Sequence, residues 1–154
     1  MGELKNVKRL WFYGNQLKVL PESIGNLKQL MSLNVDSNRL TALPDSIGNL
    51  NLHYLIIFNN RLTVLPEGIG NLKNLQLFCA WNNTLENIPE TIGGLKSLRN
   101  IDLRHNRLQH LPSSIKQWQS IKSFYVAGNP LCPSFEFPDN LVSAKGLCKE
   151  QCSM

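Results

Sequence analysis

The sequence predicts a solenoid: a stack of near-identical coils with a parallel sheet along one flank and short helical turns along the other. Three observations carry that expectation. An asparagine recurs at Asn15, Asn38, Asn60, Asn83, Asn106 and Asn129, in steps of 23, 22, 23, 23 and 23 residues, and an internal period of this size marks a stacked repeat architecture. Before and after each asparagine, apolar residues recur at fixed spacing, as in Leu98, Ile101, Leu103 and Leu108; this is the pattern of a short strand with one buried face. A second apolar column stands directly before a proline in five successive units, at Leu20-Pro21, Leu43-Pro44, Leu65-Pro66, Ile88-Pro89 and Leu111-Pro112.

Each column has a physical reason. One unit cannot bury its apolar edge alone, whereas stacked units can, by laying their strands in parallel and piling leucine on leucine. The asparagine falls where the strand ends and the chain turns while staying inside. Its amide can donate to and accept from the backbone of neighbouring coils, so six of them should form a hydrogen-bonded ladder. Proline removes a backbone donor and presets φ for a first helical or 3₁₀ turn. The return leg should therefore be short helical turns, closed by Ile24, Ile47, Ile69, Ile92 and Ile115 and then by Leu27, Leu50, Leu72, Leu95 and Trp118.

Written out, these columns read Leu-x-x-Leu-x-Leu-x-x-Asn-x-Leu and Leu-Pro-x-x-Ile-Gly-Asn-Leu. The pattern resembles the leucine-rich repeat, in the 23-residue class of Ras-associated scaffold proteins, their plant relatives and some bacterial surface proteins. The resemblance runs from residue 4 to about 131 and implies an α/β fold: a right-handed leucine-rich-repeat solenoid with a concave parallel β-sheet and a convex side of 3₁₀ or short helical turns. The departures are one residue missing between Leu50 and Leu52, Trp118 in a leucine column, and Pro130-Leu-Cys132 closing the last unit. The missing residue should tighten the bend between units two and three and leave the fold unchanged. Residues 1–131 are thus expected to form six units, the first without an N-terminal cap, and 132–154 a cysteine-containing C-terminal cap.

The chain has 154 residues, 16 basic and 11 acidic side chains and a net charge of +5. No run of eighteen apolar residues exists, so no membrane span is expected, and the first residues do not resemble a signal peptide. The bases are spread over every unit. Arg39, Arg61 and Arg107 share the position after the asparagine and should form a broken basic row beside the concave face, able to steer an acidic partner. No aromatic-basic motif of a known nucleic-acid reader is present, which disfavours nucleic acid as partner.

Inward strand residues are fixed by the core, so any message must lie in the outward ones. The binding candidates are Arg9, Trp11 and Tyr13 in unit one; Asp36 in unit two; Tyr54, Ile56 and Phe58 in unit three; Leu77 and Trp81 in unit four; Asp102 and Arg104 in unit five; and Tyr125 in unit six. A solvated face without a task should be polar, whereas this one carries the residues that dominate interfaces. The aromatic residues are expected as anchors, with Asp36, Asp102 and Arg104 supplying register. Asp36 and Asp102 are too far apart for paired-carboxylate chemistry. No Ser-His-Asp set, phosphate loop or metal motif appears, and His53, His105 and His110 have no clustered partners. The expectation is a non-enzymatic protein-binding module without cofactor or metal.

The resemblance to the Ras-associated class implies a cytoplasmic scaffold or adaptor in signalling. The rival is a secreted or cell-surface recognition protein, a fragment of a pathogen or immune-receptor ectodomain. For the rival speak the cap cysteines, Cys132 with Cys148 or Cys152 as a disulfide, and the sequon Asn82-Asn83-Thr84. All thiols reduced is the cytoplasmic reading. At the other end, the edge around Leu4, Val7 and Leu10 has two readings: the chain is a segment of a longer repeat protein, or a second copy covers the edge by self-association. Phe135, Phe137, Leu141, Val142 and Leu147 are expected to cover the last unit.

Overall fold

The computed structural model describes residues 6–131 and 136–142. Six three-residue strands, β1 (Arg9–Trp11), β2 (Ser32–Asn34), β3 (Tyr54–Ile56), β4 (Leu77–Cys79), β5 (Asn100–Asp102) and β6 (Ser123–Tyr125), form one parallel sheet in sequence order. Equivalent residues face each other in every pair: Leu10 opposite Leu33, Leu33 opposite Leu55, Leu55 opposite Phe78, Phe78 opposite Ile101, and Ile101 opposite Phe124. The middle residue of each strand points into one continuous core, shared with the isoleucines of the return legs. A one-residue slip in any pair would send that row to solvent, which is why the apolar pattern alone fixes the register.

The return legs are 3₁₀ helices at Glu22–Asn26, Asp45–Asn49, Glu67–Asn71, Glu90–Gly94 and Ser113–Gln117. The proline of each unit immediately precedes its 3₁₀ helix. It is the N-cap, with ψ between 147° and 153°, and its carbonyl accepts the first helical bond, as from Ile24 N–H to Pro21 O at 2.9 Å. Fixed φ and extended ψ aim that carbonyl into the turn. A carboxylate then ties one coil to the next. Asp45 Oδ1 accepts from Gly68 N–H at 2.7 Å and Glu90 accepts from Ser113 and Ser114 N–H at 2.9 and 3.0 Å, so donors left over at the starts of the third and fifth 3₁₀ helices are satisfied from the preceding unit.

Coils also approach closely at the Ile-Gly pairs. A Cβ built on Gly25 would stand 2.6 Å from Ser46 O, and one on Gly70 would overlap Thr91 O. Lys116 takes this column in the last 3₁₀ helix, where the step to the next proline turn lengthens from 23 to 26 residues, Pro112 to Pro138.

The asparagine ladder is present with five buried rungs. Asn38, Asn60, Asn83, Asn106 and Asn129 are buried, whereas Asn15 is exposed and closes only its own turn. Each buried amide donates to its own coil and to the preceding one, and its Oδ1 accepts a backbone N–H of the preceding coil. Asn83, for example, donates to Ala80 O and Ile57 O and accepts from Leu62 N–H. Asn15 has no described coil before it, which explains its exposure. The residue before each asparagine has positive φ: Gly14, Ser37, Asn59, Asn82, His105 and Gly128. Four of the six are not glycine, and three of those four are of the types that tolerate this region best.

The 22-residue step is absorbed at Leu50. Leu27, Leu72 and Leu95 have ψ near 65–75° and sit at the centre of an inverse γ-turn, closed for instance by Lys28 N–H to Asn26 O at 3.0 Å. Leu50 is extended instead, ψ 161°, and the chain regains the sheet one residue sooner with the β2–β3 register intact. At the far end, Leu141 N–H donates to Pro138 O at 2.8 Å inside α1 (Asp139–Val142), repeating the proline turn. Leu141 is fully buried and Phe137 packs edge-on against Phe124 at 5.9 Å. Leu4, Cys132, Phe135, Leu147, Cys148 and Cys152 lie outside the described residues. The described chain contains no helix long and apolar enough to cross a membrane.

Candidate functional site

The open face of the sheet carries three outward columns. The first and third residues of the strands supply two of them, Arg9, Ser32, Tyr54, Leu77, Asn100 and Ser123, then Trp11, Asn34, Ile56, Cys79, Asp102 and Tyr125, with neighbours paired in register. The third is Tyr13, Asp36, Phe58, Trp81, Arg104 and Ala127. It keeps the parallel ladder through bonds such as Ser37 N–H to Phe58 O and Asn59 N–H to Trp81 O. Neighbours within a column lie about 4.8 Å apart, the spacing of paired strands.

Unit one presents the most open aromatic surface. Trp11 and Tyr13 are 61% and 60% exposed, and the Arg9 guanidinium lies over the Trp11 ring at 5.9 Å. Unit two is polar, with Ser32, Asn34 and Asp36 half-buried. Asp36 accepts from Ser37 Oγ at 2.9 Å, and Asn34 Oδ1 accepts from the Asp36 N–H at 3.0 Å. Units three and four form the apolar centre. Tyr54 is 45% exposed, Ile56 and Leu77 are half-buried, and Phe58 stacks on Trp81 with centroids 4.7 Å apart and planes 12° from parallel. Beside that stack, Asn82 Nδ2 donates to Asn59 Oδ1 and Asn59 Nδ2 to Ser37 Oγ, an amide line along the rim.

Units five and six hold a cluster that the sequence did not reveal. Asp102 is buried at 8% exposure, and Arg104 grips it through Nε and Nη2, the closest contact being 2.6 Å. The same guanidinium lies over the Tyr125 ring at 5.1 Å. Asp102 thus anchors Arg104 rather than presenting its carboxylate to solvent. Bonding to that carboxylate shifts Arg104 further above its ordinary value. Cys79, next to Asp102 across the strands, is a free thiol. Burial first, and the Asp102 charge second, push its pKa up to about 11, with Arg104 offsetting part of the rise. Such a thiol stays protonated near neutral pH and is a poor nucleophile.

Arg39, Arg61 and Arg107 are exposed on the rim beyond the third column. Of the outward residues, Ala127 is buried. His105 and His110 are exposed, but His53 is half-buried beside Tyr54 with its Nδ1 lacking a hydrogen-bond partner. Among the described residues, no group of three or more His, Cys, Asp or Glu side chains could hold a metal ion.

Residues 1–84 match the family described as leucine-rich repeat region, and residues 97–118 match a single leucine-rich repeat. No curated protein matches the chain. Among solved structures, a leucine-rich-repeat protein of Leptospira interrogans is 34% identical with a TM-score of 0.64, covering 83% of this chain and 39% of its own. A plant peptide hormone receptor, RGFR1 in complex with RGF2, is 33% identical with a TM-score of 0.76, over 83% of this chain and 22% of that one. The ectodomain of the receptor kinase GASSHO1/SCHENGEN3 from Arabidopsis thaliana, in complex with Casparian strip integrity factor 2, is 30% identical with a TM-score of 0.70, over 83% and 19%. The chain therefore spans well under half the length of each of these. With a family match over its first 84 residues and a parallel solenoid built on the same columns, the chain belongs to the leucine-rich-repeat family.

Proposed function

We propose that this chain is a non-enzymatic recognition module that seats a protein partner on the open face of its sheet, acting as a scaffold or adaptor in signalling. The observation that carries this reading is the exposure of Trp11, Tyr13 and Tyr54 on a regular sheet face, with Tyr54 continuous with Ile56, Leu77 and the Phe58–Trp81 stack and Trp11 and Tyr13 set off from them by the polar unit two. Ring area left in water on a preformed surface costs little conformational entropy to bury, which is why such residues become interface anchors. Arg104, held by Asp102 and Tyr125, adds a guanidinium whose orientation is fixed before any partner arrives. Asp36 and Arg9 are proposed to set the register.

A second reading has its own support: a secreted or cell-surface recognition module. Two of the similar structures are described as receptors in complex with a ligand, one of them an ectodomain of a membrane receptor kinase. The exposed Asn82 opens the sequon. Counting thiols in denaturant without reductant separates the two, since four free thiols fit the cytoplasmic scaffold and fewer fit the secreted module.

The binding reading is tested by affinity capture from native extract with the wild-type chain and with Trp11→Ala, Tyr54→Ala and Trp81→Ala. A partner identified on the wild type should lose about 2 kcal/mol or more of affinity with at least one of these variants. Unchanged affinity in all three would remove the sheet face as the site.

A further inference from the structure

The return legs carry both signs, with Lys28, Lys73 and Lys96 bonded to 3₁₀-helix carbonyls and Lys116 inside the last helix. Four acidic residues, Glu22, Asp45, Glu67 and Glu90, each open a 3₁₀ helix on the side away from the sheet. The two rims of the open face are basic. Along the rim at the strand ends lie Lys18, Arg39, Arg61 and Arg107; along the rim where the strands begin lie Lys8, Arg99 and Lys122. All are exposed. The Arg104–Asp102 contact is the one ion pair among the described residues, so none of these seven bases is neutralised by a described carboxylate. Against them, the face and rims set only Asp36, Glu86 and the already paired Asp102.

We propose that the partner is an acidic polypeptide segment whose aliphatic or aromatic side chains lie on the apolar floor while its carboxylates meet the basic rims, Arg39 and Arg61 first. This rests on the reading of the sheet face as the binding site and names the chemistry of what binds there. The dimensions suit a single chain. Arg39 and Arg107 are three coils apart, about 14 Å, which an extended segment spans with four or five residues. Arg39 and Arg61 are one coil apart, and Arg61 belongs to the coil that carries Phe58, so a carboxylate held between them would lie on the rim of a coil that supplies one ring of the Phe58–Trp81 stack. Like charges so arranged, without partners of their own, raise the local potential and steer an anionic segment into the trough.

A single-stranded nucleic acid would also answer to positive charge, but the floor is ill suited to it. Phe58 and Trp81 each have one face taken by the other, and Trp11 has one face taken by Arg9. Ile56 and Leu77, at the centre of the floor, offer no stacking surface.

The test uses a phage-displayed random linear peptide library selected on the immobilised full chain at low salt. Selected peptides should be enriched in Asp and Glu together with Leu, Phe or Trp. Their association rate should fall about tenfold or more with Arg39→Glu, and again on raising the salt, while Lys116→Glu, the same charge change on the opposite side, leaves it within about twofold. Circular dichroism of each variant confirms that the solenoid is intact. Peptides of neutral or basic composition that still lose binding with Trp81→Ala or Tyr54→Ala would overturn the acidic partner and leave the sheet-face site standing. Peptides indifferent to Trp11→Ala, Tyr54→Ala and Trp81→Ala alike would overturn the site and the inference with it. A fluorescent random single-stranded DNA oligonucleotide that binds more tightly than the peptides, and is released by Arg39→Glu, would replace the polypeptide by nucleic acid.

Discussion

Replacing Asn83 by alanine should destabilise the solenoid by about 3 kcal/mol, because it removes a rung that bonds four backbone groups in two coils, Trp81 O the most weakly at 3.4 Å. Asn83 Oδ1 is the acceptor for Leu62 N–H at 3.0 Å, and that buried N–H would be left without a partner, at a cost of about 1–3 kcal/mol. Ile57 O and Ala80 O fare better, since each is shared between successive asparagines. Ile57 O keeps Asn60 at 3.1 Å and Ala80 O keeps Asn106 at 3.1 Å. Losing one of two donors should cost each about 0.5 kcal/mol, the low end for a net hydrogen bond. Urea unfolding, followed by circular dichroism and tryptophan fluorescence, gives the difference, provided the m-value is unchanged. Asn15→Ala is the internal control, because Asn15 is exposed and bonds only Phe12 O and Tyr13 O of its own turn. It should cost less than about 1 kcal/mol. Amide exchange gives a local readout, with Leu62 N–H losing protection beyond the global loss. If Asn83→Ala and Asn15→Ala proved equally mild, the ladder would be a by-product of the turn rather than what joins the coils.

Three further perturbations address other parts of the structure. Gly70→Ala places a methyl against Thr91 O and should cost about 1–3 kcal/mol by thermal melting, whereas Gly14→Ala meets no atom and should be limited by its positive φ. Arg104→Ala leaves the buried Asp102 carboxylate unpaired. It should cost about 1–2 kcal/mol, below the full value for a buried pair because the guanidinium is 34% exposed, and Asp102→Ala with Arg104→Ala together should recover part of the loss. Iodoacetamide labelling with peptide mapping should modify Cys79 about a hundredfold more slowly in the native chain than in urea near pH 8, from the rise in pKa from 9.0 to about 11; equal rates would contradict its burial.

The Glu90 carboxylate supplies a pH dependence with a definite sign. Backbone donation from Ser113, and then from Ser114, lowers its folded-state pKa below 4.5. A carboxylate depressed by folding contributes stability that is present above its unfolded value and is lost as the pH falls through the folded one. Acid titration of the wild type should therefore show a component below pH 4.5 that Glu90→Gln lacks, while the two chains differ little in pH response above it. The same pH response in both would mean that Glu90 does not link the fourth and fifth 3₁₀ helices in solution.

Which features could be read in advance follows from what a coil must repeat. Leu33, Leu55 and Phe78 face one another because each coil has to present the same edge to the next, so the columns and the register were legible from spacing alone. The shared αL residue before each asparagine was not, because four residue types occupy it and only the backbone repeats. Pro138-Asp-Asn-Leu141 repeats the proline turn of Pro112-Ser-Ser-Ile115, yet it was read only as cap because the step there is 26 residues and breaks the period. On the open face the columns again say who is adjacent, and in one column Phe58 and Trp81 have little choice but to stack. Arg104 is different. With Trp81 one coil before it, and both Asp102 and Tyr125 within reach of a long side chain, spacing leaves three partners open. The structure resolves the choice by Coulombic reach, since the guanidinium takes the carboxylate two residues away and rests on the ring beyond it. Asp102 thereby holds the Arg104 side chain and is itself buried. Of the charges on the face, Arg104 and Asp102 have each other and are its fixed geometry, whereas Arg39, Arg61 and Arg107 on the rim have no partner among the described carboxylates.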